Sequence, residues 1–224
     1  MSAVAENQIS CVYCGTQTHG AHFCPSCKRI QPVESGTDYF AFLGLPKKLK
    51  LDEAALEKLF YQLSREFHPD YFMNATSGEQ QASLDRSSML NEAYRTLREP
   101  IKRARYLLSL EGYKEAEKKA PPDLLEEVFE LNMQVEELKA AKQMGDEDEI
   151  AEARSQLEEA LSNLNDQMKA IDMRLFALFD EWNLSLDNHQ TQENKKSILD
   201  RMSELMSHRS YISNLVRDIK EEIL

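Results

Sequence analysis

EAALEKLFYQLSREFHPDYF, residues 53–72, decides how the rest of the chain is read. Leu56, Leu59, Phe60, Leu63 and Phe67 recur at i, i+3, i+4, i+7 and i+11, the spacing of one face of an amphipathic helix beginning after Asp52. Pro69 disfavours helical geometry for His68, so that helix is expected to stop near Phe67. A polar loop, YFMNATSGEQ at 71–80, leads to a second helix expected from about Glu79 to Leu97, with Leu90, Ala93, Tyr94 and Leu97 on one side. Pro100 suits the first turn of a third, whose Ile101, Ala104, Leu107 and Leu108 continue the stripe.

Downstream of the connection EGYKEAEKKAPP at 111–122, the helical pattern lengthens into three segments. The first is expected from about Asp123 to Lys142, with Gly145 as its stop. The acidic run at 146–149 then suits the positive end of the next helix. In that helix Ile150, Leu157, Leu161, Leu164, Met168, Ile171, Leu175, Leu178 and Trp182 keep steps of three, four or seven over a length of about 54 Å. SLDNHQTQ, residues 185–192, reads as a loop, and Ile198, Met202, Leu205, Ile212, Val216 and Ile219 mark the last helix. Short connections between long helices imply an elongated three-helix bundle. The expected fold class is all-α, in three parts: 1–36, 37–112 and 113–224.

Composition agrees with that class. The chain of 224 residues holds only 7 Gly and 7 Pro, is 42% apolar, and has no run approaching the roughly 18–20 apolar residues a membrane span needs. Its net charge of −12 argues against a general nucleic-acid binder. The charge is unevenly placed: residues 1–112 carry 13 basic and 13 acidic side chains, whereas 113–224 carry 14 and 26. The opening MSAVAENQIS lacks the apolar run of a secretory signal and the arginines of a transit peptide, so a cytoplasmic location is expected, with the mitochondrial matrix possible only after removal of a leader.

All four cysteines lie ahead of the first helix, in Cys11-x-x-Cys14 and Cys24-x-x-Cys27 separated by nine residues. Two such pairs can close on one ion, and four thiolates make a structural zinc site with no open position for catalysis. So short a segment cannot build a useful core of its own, so the metal would supply much of its folding energy. His19 and His22 lie between the pairs but are not needed as ligands. The competing readings are disulfides, inert thiols, or a thiol–disulfide oxidoreductase using the CxxC pairs.

His68-Pro69-Asp70 is ambiguous by itself: a helix end with a dipole-complementing histidine and a proline stop, or a His–Asp pair with acid–base capacity but no recognisable nucleophile nearby. Taken with DYFAFLGLP at 38–46, REFHPDYF at 65–72 and LNEAYRTLREPIKRARYLLSLEG at 90–112, it resembles the J domain of the HscB family, co-chaperones of iron–sulfur cluster assembly. The tetracysteine extension resembles the one that precedes the J domain in eukaryotic-type members.

The resemblance implies a non-enzymatic co-chaperone. Residues 37–112 would be the J domain, with His68, Pro69 and Asp70 docking on a DnaK-type or HscA-type ATPase chaperone and stimulating its ATP hydrolysis. Lys58 and Arg65 would supply a basic docking face on the helix before the loop, beside Lys47, Lys48 and Lys50 and diluted by Glu57 and Glu66. The cysteines would bind one structural zinc ion. No nucleic acid or membrane is expected as a partner.

The helix at 123–142 carries two apolar rows. Leu124, Val128, Leu131, Val135 and Leu138 suffice for a bundle core, while Leu125, Phe129 and Met133 run one residue out of phase. Periodicity alone favours a broad core face for the second row; an exposed docking site rimmed by Glu126 and Glu130 is the alternative. The family resemblance reverses that preference, because it implies that this helix binds an IscU-type cluster scaffold through Leu125, Glu126, Phe129, Glu130 and Met133, with Tyr211 on the last helix extending the patch. A general J protein serving other clients is the remaining alternative.

Overall fold

The computed structural model describes residues 9–114 and 124–223. The helix start expected at Asp123, and most of the connection before it, lie outside the described residues. The chain is all-α: α1 (Tyr39–Phe42), α2 (Glu53–Glu66), α3 (Ser77–Arg98), α4 (Pro100–Leu110), α5 (Leu125–Met144), α6 (Glu147–Asp187) and α7 (Gln192–Ile223). The only extended pairings among the described residues are two isolated bridges near the N-terminus. No described helix is long and apolar enough to cross a membrane. The chain divides into two compact units, Met1–Leu107 and Leu108–Leu224.

In the first unit Asp52 caps α2, its carboxylate accepting from the Ala55 amide at 3.0 Å, and Thr76 and Glu79 form a reciprocal capping box at the start of α3. The Phe67 carbonyl meets Ser83 and Ser87, while Phe60 stacks on Tyr94 at 4.2 Å, so α2 and α3 run antiparallel. Between them Leu56, Leu63, Phe67, Leu90, Ala93 and Leu97 are buried, and each fully buried large side chain contributes about 1.5–3 kcal/mol. The short α1 is too brief to show a periodicity in the sequence. Its Asp38 cap, accepting from the Ala41 amide at 2.8 Å, turns Phe40 and Phe42 into the same core.

In the second unit α6 is the spine, 41 residues or about 60 Å. The turn at Gly145 (φ 72°) folds α5 back along its N-terminal half, where Gln167 donates to Glu127. α7 starts beside the C-terminal end of α6 and runs back past its middle, with Arg201 paired to Glu181 and Arg209 paired to Asp172 at 2.6 Å. The C-terminal ends of α5 and α7 meet where Lys142 donates to the Glu222 carbonyl. Leu157, Leu164, Leu175, Ile198, Met202 and Ile212 fill the interior. The loop expected over 185–192 is shorter than the sequence suggests. Ser185, Leu186 and Asp187 stay helical because Ser185 is buried and its hydroxyl donates to the Trp182 carbonyl at 2.7 Å, a local bond that keeps a polar residue inside a helix.

Candidate functional site

The four cysteines stand on two loops that repeat one backbone pattern thirteen residues apart. Cys11 N–H donates to Thr16 C=O as Cys24 N–H does to Arg29 C=O; Gly15 N–H returns to Cys11 C=O as Lys28 N–H does to Cys24 C=O. The bridges Ser10–Gln17 and Phe23–Ile30 close the two loops. The residue after each second cysteine is left-handed: Gly15 at φ 76°, and Lys28 at φ 62°, where a side chain makes that conformation costlier.

This pairing brings Cys11 Sγ to 3.7 Å from Cys27 Sγ and Cys14 Sγ to 3.6 Å from Cys24 Sγ, with all four sulfurs within 4.8 Å of one another. No disulfide joins them. Four thiolates at about 2.3 Å around a tetrahedral ion would stand about 3.8 Å apart, so these residues fit a metal ion. The hydrogen bond to the Thr16 hydroxyl holds the Cys14 thiol down to about 6, which favours the thiolate a metal needs.

His19 and His22 take no part in the cluster. His19 is exposed. His22 points into the α2–α3 core, 5.1 Å from the Phe42 ring and 4.9 Å from the Phe67 ring. Burial, and then the neighbouring Arg86, push its pKa down to about 4, so it sits there neutral.

His68, Pro69 and Asp70 lie in the link between α2 and α3, where Pro69–Phe72 make one tight helical turn. The Phe67 carbonyl just before it accepts from the hydroxyls of Ser83 at 2.6 Å and Ser87 at 3.0 Å. His68 caps the turn, its Nδ1 accepting from the Asp70 amide at 3.3 Å. The side chains of His68 and Asp70 nevertheless remain 52% and 73% exposed. Tyr71 and Met73 are also exposed beside them. Lys58 and Arg65, seven residues apart and hence on one face of α2, are both exposed, as are Glu57 and Glu66. Lys47 pairs with Asp38 at 3.3 Å.

Periodicity favoured a broad core face on α5, and the structure corrects that preference. Leu124, Leu131, Leu138 and Ala141 are buried against the bundle, whereas Leu125, Phe129 and Met133 are 55%, 65% and 51% exposed. Among the described residues only α6 packs extensively along α5, so one apolar row suffices and the other is left at the surface. Glu126 and Glu130 are exposed beside it. Tyr211 is half-buried on α7. The pairings Glu127–Gln167 and Asp172–Arg209 meet α6 five residues apart, so Tyr211 and Phe129 lie at similar levels along it.

Two antiparallel helices joined by an exposed His-Pro-Asp turn define a J-domain protein, and residues 38–106 match the DnaJ domain family. The iron–sulfur cluster co-chaperone protein HscB homolog of Arabidopsis thaliana is 33% identical over 164 residues, covering 72% of this chain; the chain spans 62% of the length of that relative. The chain thus carries a DnaJ domain and is similar to the HscB co-chaperones over most of its length. Its fold is that of the crystal structure of the human co-chaperone protein HscB (TM-score 0.65, 23% identity, 95% of this chain and 98% of that one). The chaperone HscB from Vibrio cholerae is also similar (TM-score 0.53, 24% identity, 83% and 96% covered).

Proposed function

We propose that this protein is a co-chaperone of iron–sulfur cluster assembly that carries no active site of its own. The helices α5–α7 bind an IscU-type cluster scaffold through Leu125, Glu126, Phe129, Glu130 and Met133, with Tyr211 at the edge. The turn at His68-Pro69-Asp70 docks on a DnaK-type or HscA-type chaperone and stimulates its ATP hydrolysis, delivering the scaffold in the process. The observation that carries the reading is the exposed row Leu125–Phe129–Met133 in a chain that also has an exposed J-type turn. Such a row gains free energy when a partner buries it, while α5 itself is already held by Leu131 and Leu138.

The geometry of the turn supports the docking role. The Asp70 carboxylate has one oxygen 3.5 Å from His68 Nδ1 and is 73% exposed, so an arginine of the chaperone can reach it with two parallel hydrogen bonds. Lys58 and Arg65 offer positive charge on the preceding helix. Cys11, Cys14, Cys24 and Cys27 hold one structural zinc ion, which leaves the site without a catalytic position. A reducing compartment suits four unpaired thiols, and the cytoplasm is the proposed location.

Single-turnover ATP hydrolysis by a DnaK-type chaperone tests the docking assignment. Asp70→Asn abolishes stimulation while scaffold binding survives; stimulation equal to the parent's would overturn it.

A further inference from the structure

The cysteine loops are tied to both ends of the segment that carries His68, Pro69 and Asp70. At its far end, Arg29, two residues after Cys27, forks onto Glu79: Nε donates to one carboxylate oxygen at 2.9 Å and the terminal nitrogen to the other at 2.8 Å. The same terminal nitrogen donates to the Thr76 hydroxyl at 3.0 Å. Thr76 and Glu79 are the capping box from which α3 departs, so one guanidinium grips the point where the loop ends. Its planar face lies 3.7 Å over the ring of Tyr13, a residue enclosed between Cys11 and Cys14. Arg29 thus touches both cysteine loops and the α3 cap at once.

At the near end, Phe67 packs its ring on His22 at 4.9 Å and on Phe23 at 6.0 Å, both just ahead of Cys24. Arg86, 4% exposed, holds that part of the extension on α3 by donating to the carbonyls of Gln31 at 2.6 Å and Pro32 at 3.1 Å and by meeting His22 Nδ1. Between these two grips residues 68–75 are mostly exposed, held to the body of the unit by Phe72 against the core and by Gln80, whose side-chain amide donates to the carbonyls of Met73 at 2.9 Å and Ala75 at 3.2 Å.

We propose that the tetracysteine extension is a clamp on the His-Pro-Asp turn, with Arg29 and Arg86 as its positioning residues, so that metal occupancy sets how well the turn is ordered. A segment of this size without a core keeps its loops only while the four sulfurs are held together. Once they part, Arg29 loses its place over Tyr13 and the α3 cap loses its fork. The link from order to chaperone stimulation rests on the docking role proposed above, whereas the ordering itself does not.

Hydrogen exchange on the full-length zinc-loaded chain tests the ordering without any chaperone present. Arg29→Ala is expected to speed exchange over residues 67–79 about tenfold, the scale of losing one charge-assisted fork, with zinc still at one ion per chain and α5–α7 unaffected. Stripping the metal with EDTA should produce the same local acceleration, and Arg29→Lys, which keeps the charge but not the fork, should restore protection in part. Unchanged exchange over 67–79 in both the stripped chain and Arg29→Ala overturns the clamp. Acceleration in the stripped chain alone removes Arg29 from it.

In ATPase titrations against a DnaK-type chaperone, Arg29→Ala should raise the half-saturating concentration about tenfold and leave maximal stimulation intact. If Asp70→Asn stimulates normally, the docking role fails while the exchange result still decides the clamp.

Discussion

Truncating Phe129 separates surface from core on one helix. Its side chain is 65% exposed, and a phenylalanine presents roughly 200 Å² when free, so a partner that covers it removes about 130 Å² from water. At about 25 cal/mol per Å² this is up to about 3 kcal/mol, or on the order of a hundredfold in Kd. The fold should scarcely respond, because Phe→Ala on a solvent-facing helical position alters stability by no more than about 0.5 kcal/mol. Leu131, two residues away and 5% exposed, is the control. Leu131→Ala leaves a cavity and costs about 2–5 kcal/mol, lowering the melting temperature of a unit this size by at least about 8 °C. Calorimetric titration with an IscU-type scaffold, together with thermal unfolding of each variant, gives both readouts. The reasoning fails if Phe129→Ala melts as early as Leu131→Ala, or if it binds the scaffold within about threefold of the parent.

Association with the scaffold should slow as salt rises, with little change in dissociation, because Glu126 and Glu130 flank the apolar row; a salt-independent on-rate in stopped-flow mixing would reduce them to solubility groups. The hydrogen bonds from Arg29, then from Thr76, hold the Glu79 carboxyl down to about 2, so its contribution is complete above about pH 4.5 and is lost as pH falls from there toward 2. Acid unfolding followed by circular dichroism should therefore be shallower over that range in Glu79→Gln, and an identical profile would show the carboxylate to be idle. Chelation should abolish the folded signals of residues 9–31 in an NMR spectrum while those of α5–α7 persist; survival of both sets would mean the extension folds without an ion.

Helices and their limits were legible wherever a period ran long enough. Asp52, Pro69, Pro100 and Gly145 each mark a boundary through a local mechanism that needs no tertiary information, and α2, α4 and the end of α5 fall where those residues put them. Ser185 misleads for the opposite reason: in sequence it opens a polar stretch, and only its buried bond to Trp182 shows that the helix continues. The row Leu125–Phe129–Met133 is ambiguous in sequence because apolar spacing says which residues share a face and nothing about how many neighbours cover it. The CxxC spacing announced the sulfur cluster. The ties made by Arg29 and Arg86 carried no signal, since each arginine meets its partner, Glu79 for Arg29 and the Gln31 carbonyl for Arg86, only when the chain brings together groups some fifty residues apart.

The thirteen-residue repeat around the cysteines makes the site a pair of half-sites on one short tether. Each loop presents two sulfurs, so an ion held by one loop meets the other at an effective concentration in the millimolar range or above. Neither loop needs high affinity alone, and the hold on the ion comes from their product. Lengthening the tether between Cys14 and Cys24 should therefore weaken retention gradually, while inverting either turn, at Gly15 or Lys28, should abolish it in one step.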